Sequence, residues 1–218
     1  MTPEAFVAEL DALTQQALDR LGAAATAGEP PAELTVAQLL QLALKNELEA
    51  AEIAARWMPD APERDVKLAL ARQAGDEAKH YRLIEERLAA LGVPPGSVDP
   101  LADGYSPLYH YLARLPTTVE RVAAGQFTRE ALALVRNEAF ADFCAARGDW
   151  ETARLYREVI QPDERYHHQL GRQLLLRYAT TPEQQAAARR AAAGTLRLAE
   201  EIQETARLRR GITRAPGC

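Results

Sequence analysis

Asp76-Glu77-Ala78-Lys79-His80 and Asp163-Glu164-Arg165-Tyr166-His167 are the stretches whose reading decides the fold. Both follow Asp-Glu-x-x-His, and the second lies 87 residues after the first. Four histidines occur in the whole chain (His80, His110, His167 and His168), so half of them close these motifs. At i and i+3 on a helix, Glu and His leave the same face and can meet one cation. The Asp just before each Glu, Asp76 or Asp163, can reach the second ring nitrogen of a histidine on a facing helix and fix its tautomer. Both motifs lie inside apolar stripes of helical period. One stripe runs Val66, Leu70, Gln73, Glu77, His80, Ile84, Leu88; the other runs Ala153, Ile160, Glu164, His167, Gly171, Leu174. A stripe destined for burial does not carry an acid without a partner for it.

Outward from the motifs, the chain reads as helix throughout. Ala, Leu, Glu, Arg and Gln dominate, and no stretch alternates apolar and polar residues as a strand would. Thr2-Pro3-Glu4 opens a first helix, to about residue 21. Gly28 to Pro31 reads as a linker. Thr35 with Gln38 forms a capping box for a helix ending near Trp57, and a third helix spans Glu63 to Leu91. Five prolines (94, 95, 100, 107 and 116) mark a long connection up to Thr117. Thr117 with Glu120 caps a helix to about Arg147, and Asp149 caps the next, to about Ala179. A last helix covers 182–210, and the tail from Gly211 is expected to fray. Pro162 must kink or restart the helix that holds it. The expected fold is a single all-α domain over 1–218: a four-helix bundle core at about 35–179, with a long crossover and flanking helices at about 3–21 and 182–210. The crossover is expected to let the second helix pair start from the same end as the first.

A site of this kind needs one more carboxylate from each remaining bundle helix. Glu47 interrupts the stripe Val36, Leu39, Leu40, Ala43, Ala50, Ala54, whereas Glu49 and Glu52 fall off that face, beside Lys45 and Arg56, as surface pairs. In the helix after Thr117, Glu138 interrupts Phe127, Ala131, Leu134, Ala141, Ala145, and Glu130 is its competitor. Counting depth from each hairpin's own loop puts Glu138 level with Glu47 and leaves Glu130 about 12 Å too deep. The expected metal ligands are therefore Glu47, Glu77, His80, Glu138, Glu164 and His167. Four carboxylates would balance two divalent cations in a buried place.

Glu, DExxH, Glu, DExxH in this order resembles the ferritin-like di-iron carboxylate superfamily, over roughly residues 35 to 179. Within it, Asp76 to Gly92 and Asn137 to Gly171 resemble an uncharacterised ferritin-like branch and the MiaE-type tRNA hydroxylases. The likeness rests on Glu-Ala-x-x-Asp-Phe from Glu138 and on Ala153 and Tyr156 ahead of the second motif. Lys79 stands where many oxygenases of the superfamily have Arg, and Tyr166 occupies the same place in the second motif. The resemblance implies two iron ions, or manganese with iron, and an O2-dependent oxidase or hydroxylase fed by an electron donor. Its organic substrate would be a small molecule or a tRNA. Ferroxidase or peroxidase activity of the bacterioferritin or rubrerythrin kind is the alternative, and a non-catalytic metal-binding bundle the third reading. A homo-oligomer is compatible with each.

Composition narrows the partners. The 218 residues carry 26 Lys+Arg against 31 Asp+Glu, a net charge of −5, so no general basic field attracts a polyanion such as tRNA. No apolar run approaches membrane-spanning length. The start MTPEAFVAEL lacks the basic region of a secretory signal, and Cys144 and Cys218 form no metal knuckle, so a cytoplasmic setting is expected.

Overall fold

The computed structural model describes residues 1–26, 34–210, 212 and 215–217. Among the described residues helix accounts for 80%, far above the one-third usual for globular proteins, and no strand occurs. Seven helices follow one another among the described residues: α1 (Pro3–Thr26), α2 (Val36–Trp57), α3 (Arg64–Ala90), α4 (Pro107–Leu112), α5 (118–146), α6 (150–178) and α7 (Pro182–Arg210). The linker expected at Gly28 to Pro31 lies outside the described residues.

Local chemistry sets the boundaries. Thr35 and Gln38 exchange side-chain and backbone hydrogen bonds as a capping box, and Thr117 and Glu120 do the same at the start of α5. The Asp149 side chain accepts from Thr152 N–H at the start of α6. Gly148, at φ +78°, makes the left-handed turn that ends α5. α4 lies inside the crossover; Ser106 caps it and Pro107 occupies its first turn.

α5 and α6 each contain a π-helical turn, Ala123–Arg129 and Tyr156–Ile160. The second explains Pro162. Proline has no N–H to offer and crowds the carbonyl four residues back; a widened turn immediately before it absorbs both problems, and the helix runs on to Tyr178.

Contacts between helix ends give the direction of each element. Thr118 Oγ1 donates to Glu63 at 2.7 Å, and Tyr178 OH donates to Asp65 at 2.7 Å. The starts of α3 and α5 and the end of α6 therefore share one end of the assembly. At the other end, Arg87 near the end of α3 donates to Thr152 and Asp149 at the start of α6. The crossover thus carries the chain to the end opposite the start of α2, which corrects the expectation that both pairs start from the same end. Among the described residues three apolar clusters fill the interior; the smallest, around Leu18, Leu132 and Leu196, joins α1 and α7 to α5. Of the other two, one, around Trp57, Leu70, Phe127 and Leu174, occupies the shared end; the other, around Leu39, Leu40, Phe140, Tyr156 and Ile160, lies beyond the acidic cluster described below.

Two further expectations change. Glu49 pairs with Lys45 at 4.0 Å as expected but is buried rather than solvated: its carboxylate accepts from Ser106 N–H and Oγ–H at 2.7 and 2.5 Å and anchors the crossover. Ile212, Pro216 and Gly217 in the tail expected to fray are buried as well. Asn46 donates to the Pro216 carbonyl, and Gly217 N–H donates to Asn137, both at 2.8 Å. Gly211, Thr213, Arg214 and Cys218 lie outside the described residues.

Candidate metal centre

α2, α3, α5 and α6 each send one carboxylate into the same interior space. Glu47, Glu77, Glu130 and Glu164 are each no more than 3% exposed, and His80 and His167 no more than 1%. The residues form two overlapping groups, Glu47–Glu77–His80–Glu164 and Glu77–Glu130–Glu164–His167, and within each group one ligand atom per residue lies within 4.8 Å of the others. Glu77 and Glu164 belong to both.

Glu138 does not take part, which corrects the sequence expectation. It is exposed, ion-paired with Arg157 at 2.9 Å, and Glu130 stands in the place assigned to it. The reason is direction. Measured from the end where Trp57, Arg64, Thr118 and Tyr178 lie, Glu47, Glu77, Glu130 and Glu164 stand about 15, 20, 18 and 21 Å along their helices, and Glu138 about 30 Å. Depth counted from each hairpin's own loop misleads, because the two loops are at opposite ends. The buried stripe of α5 is Glu130, Ala133, Asn137, Phe140, Cys144, and Glu138 is one residue, about 100°, away from it.

Each imidazole faces the carboxylates with Nδ1 and the neighbouring helix with Nε2. His80 Nδ1 lies 3.2 Å from Glu77 and 3.4 Å from Glu47, while Nε2 bonds Asp163 at 3.1 Å. His167 mirrors this, with Nδ1 3.3 Å from Glu164 and Nε2 3.1 Å from Asp76. With an aspartate accepting from Nε2–H, a cation that displaces the Nδ1 proton would meet the Nδ1 lone pair directed at the cluster, the tautomer a metal ligand needs. Asp76 and Asp163 are therefore crossed between helices, each orienting the other motif's histidine. Lys79 ion-pairs with Asp163 and approaches Asp76 at 3.7 Å, and Arg72 donates to Asp76 at 3.3 Å. Tyr166 lies under the Arg72 guanidinium, 3.6 Å from ring centre to Cζ.

Electrostatics reflect the crowding of acids. Burial, with Glu77 nearby, pushes Glu47 up to about 7, and the His80 hydrogen bond opposes this. Burial and neighbouring carboxylates raise Glu130 and Glu164 well above the usual range. Burial would also raise Glu77, but the His80 hydrogen bond and the charges of His167 and His80 hold it at about 2. Burial alone would lower His80, yet its hydrogen bonds to Glu47 and Glu77 lift it to about 12. Protons retained on several acids keep the metal-free cluster close to neutral. Two divalent cations do the same for four ionised carboxylates and two neutral imidazoles, so the donor set fits them; its oxygen and nitrogen atoms suit iron or manganese.

Two contributors, Gln73 and Arg129, were given no role at the site from the sequence. Gln73 Nε2 donates to Glu130 at 2.6 Å. Arg129, 4% exposed, donates to the Asn46 carbonyl at 3.0 Å, and its charge draws Glu77 and Glu130 downward. Tyr156 is fully buried, edge-on to Phe140, with its hydroxyl unpartnered among the described residues. The π-turn that ends at Arg129 places Glu130, and it exists where α6 presses on it. A Cβ on Gly171 would stand 2.7 Å from the Gln126 carbonyl carbon and 2.8 Å from Phe127 N. His168, on the same face, donates Nδ1–H to the Phe127 carbonyl at 2.7 Å, which makes it a support for this turn. The His110 ring lies edge-on to Tyr109 in the crossover.

No family model, curated protein or solved structure matches this chain. No helix among the described residues is long and apolar enough to cross a membrane.

Proposed function

We propose that this chain is a ferritin-like bundle that holds two iron ions, or one iron and one manganese, and uses O2 to oxidise an organic substrate. The observation that carries this reading is the pair of overlapping ligand groups: two sets of four donors that share Glu77 and Glu164. A single-ion site would need one such set. Glu77 and Glu164 would serve both cations, while Glu47 with His80 and Glu130 with His167 would complete one position each. Two iron ions held there would each give one electron toward the reduction of O2, with the remaining electrons drawn from the substrate or an external donor.

The protein's own groups then have defined tasks. Asp76 and Asp163 keep both histidines in the ligating tautomer, and Lys79 and Arg72 neutralise those aspartates from outside. The apolar clusters on either side exclude water along the bundle axis. The four carboxylates fall at matching heights because the crossover reverses the second pair, a topology that supports the ferritin-like reading.

The test is O2 uptake by protein reconstituted anaerobically with two Fe(II) per chain. Rapid consumption that requires both equivalents, and that is lost in Glu77→Ala, supports the proposal. Iron bound without O2 consumption refutes the oxidative function and leaves a non-catalytic metal protein. Consumption that yields only mineralised ferric iron supports the ferroxidase alternative.

A further inference from the structure

The two Asp-Glu-x-x-His motifs are alike, but one turn before them the helices differ. Gln73 precedes Glu77 by four residues; Ile160 precedes Glu164 by the same interval. Gln73 is 4% exposed, and its amide donates to Glu130 at 2.6 Å and approaches Glu77 at 3.5 Å. Ile160 is fully buried and has no polar side-chain atom. Among the described residues, the polar partners of the Glu47 carboxylate are His80 and Glu77, both members of the cluster. One terminal carboxylate is thus tied by an amide from outside the ligand set, and its counterpart is not.

We propose that Gln73 makes the two cation positions inequivalent. The amide engages one oxygen of Glu130 and leaves the other for an ion, whereas Glu47 offers both of its oxygens. The position built from Glu47 and His80 fills first, and the position built from Glu130 and His167 fills second, with weaker affinity. An aspartate that accepts from a histidine N–H makes the ring a stronger donor, but an amide N–H that donates to a carboxylate draws charge away from the oxygen an ion would use. With outer partners shifting metal affinity by about 10- to 100-fold, two resolved binding steps are expected. The inference rests on the metal-centre reading above and adds an order of filling and the residue that sets it.

The experiment is an anaerobic titration of the metal-free protein with Mn2+, with free ion counted by electron paramagnetic resonance. The wild type should bind one Mn2+ tightly and a second at least tenfold more weakly. Gln73→Met keeps length and packing but removes the donor, so the weak step should tighten fivefold or more. Ile160→Gln introduces an amide on the other side, and the tight step should weaken. Glu130→Gln should abolish the weak step and spare the tight one. Two equal steps in the wild type, or a ratio unchanged in both Gln73→Met and Ile160→Gln, would overturn the inference. If Gln73→Met does not fold, Ile160→Gln decides alone. No Mn2+ bound by the folded wild type would instead overturn the metal-centre reading, and this inference with it.

Discussion

The same substitution at two glycines should move stability in opposite directions, because one is pinned against a backbone and the other is open. At Gly171 an added Cβ would lie 2.7 Å from the Gln126 carbonyl carbon, 2.8 Å from Phe127 N and 2.9 Å from the Gln126 oxygen. All three are backbone atoms of the α5 π-turn, so no side chain can swing aside. Relief to an ordinary contact of 3.4 Å requires α6 to retreat from α5 by about 0.7 Å. Overpacking of this kind costs about 1–3 kcal/mol, or a melting temperature lower by about 2–12 °C at this chain length. The retreat also separates Glu164 and His167 from Glu130 by more than the ~0.5 Å a preformed site tolerates, so binding of the second cation should weaken. At Gly75, exposed and in mid-helix with nothing within 4 Å of an added Cβ, alanine should gain about 0.5–1 kcal/mol from helix propensity alone. Urea denaturation of Gly171→Ala and Gly75→Ala with unchanged m-values is the assay. Equal effects of the two, or no loss at Gly171, would refute the close-approach argument and the reason given for the π-turn.

Other outcomes follow from the site and its surroundings. Glu130→Gln should reduce the bound divalent metal toward one ion per chain, while Glu138→Gln, which breaks an exposed pair with Arg157, should leave metal content unchanged and cost at most about 1 kcal/mol; element analysis of both settles it. Asp163→Asn should weaken metal binding about 10- to 100-fold by loosening His80, measured by competition with a chelator, with far-UV circular dichroism unchanged. Burial pushes the Cys144 thiol from 9.0 up to about 12, so it should resist iodoacetamide at pH 8 until the protein unfolds; mass spectrometry in a Cys218→Ser background reads this. In the window from 9.0 to about 12 the folded state keeps a proton that the unfolded state loses. Stability should therefore fall as pH rises through that window, by up to about 1.4 kcal/mol per pH unit for this group, and the decline should be shallower in Cys144→Ala.

What the sequence made legible was whatever depends on neighbours along one helix. Thr35 with Gln38 and Thr117 with Glu120 signal helix starts through bonds three residues apart, and both form. Glu77 with His80 and Glu164 with His167 share a face for the same reason, and Glu47 was found by its break in a stripe. Glu130 was lost because its position depends on which end the crossover reaches, a tertiary fact. A count from the shared end, rather than from each loop, would have selected it. The π-turns insert a residue into a 3.6-residue period and leave no periodic trace, although Gly171 and Pro162 mark where the chain needs them. Glu49 looked like a surface acid because its partner, Ser106, lies 57 residues away in the crossover.

Anaerobic equilibrium dialysis of the metal-free protein against Fe(II), followed by iron quantitation per chain, tests the central claim most directly. Glu52→Ala is the control, since Glu52 holds Tyr105 at 2.7 Å and belongs to neither ligand group. The account predicts two irons per chain in the wild type and in Glu52→Ala, and a severe loss in Glu77→Ala, because that carboxylate serves both positions. One iron or none in the wild type, or equal iron in Glu77→Ala and Glu52→Ala, would contradict it.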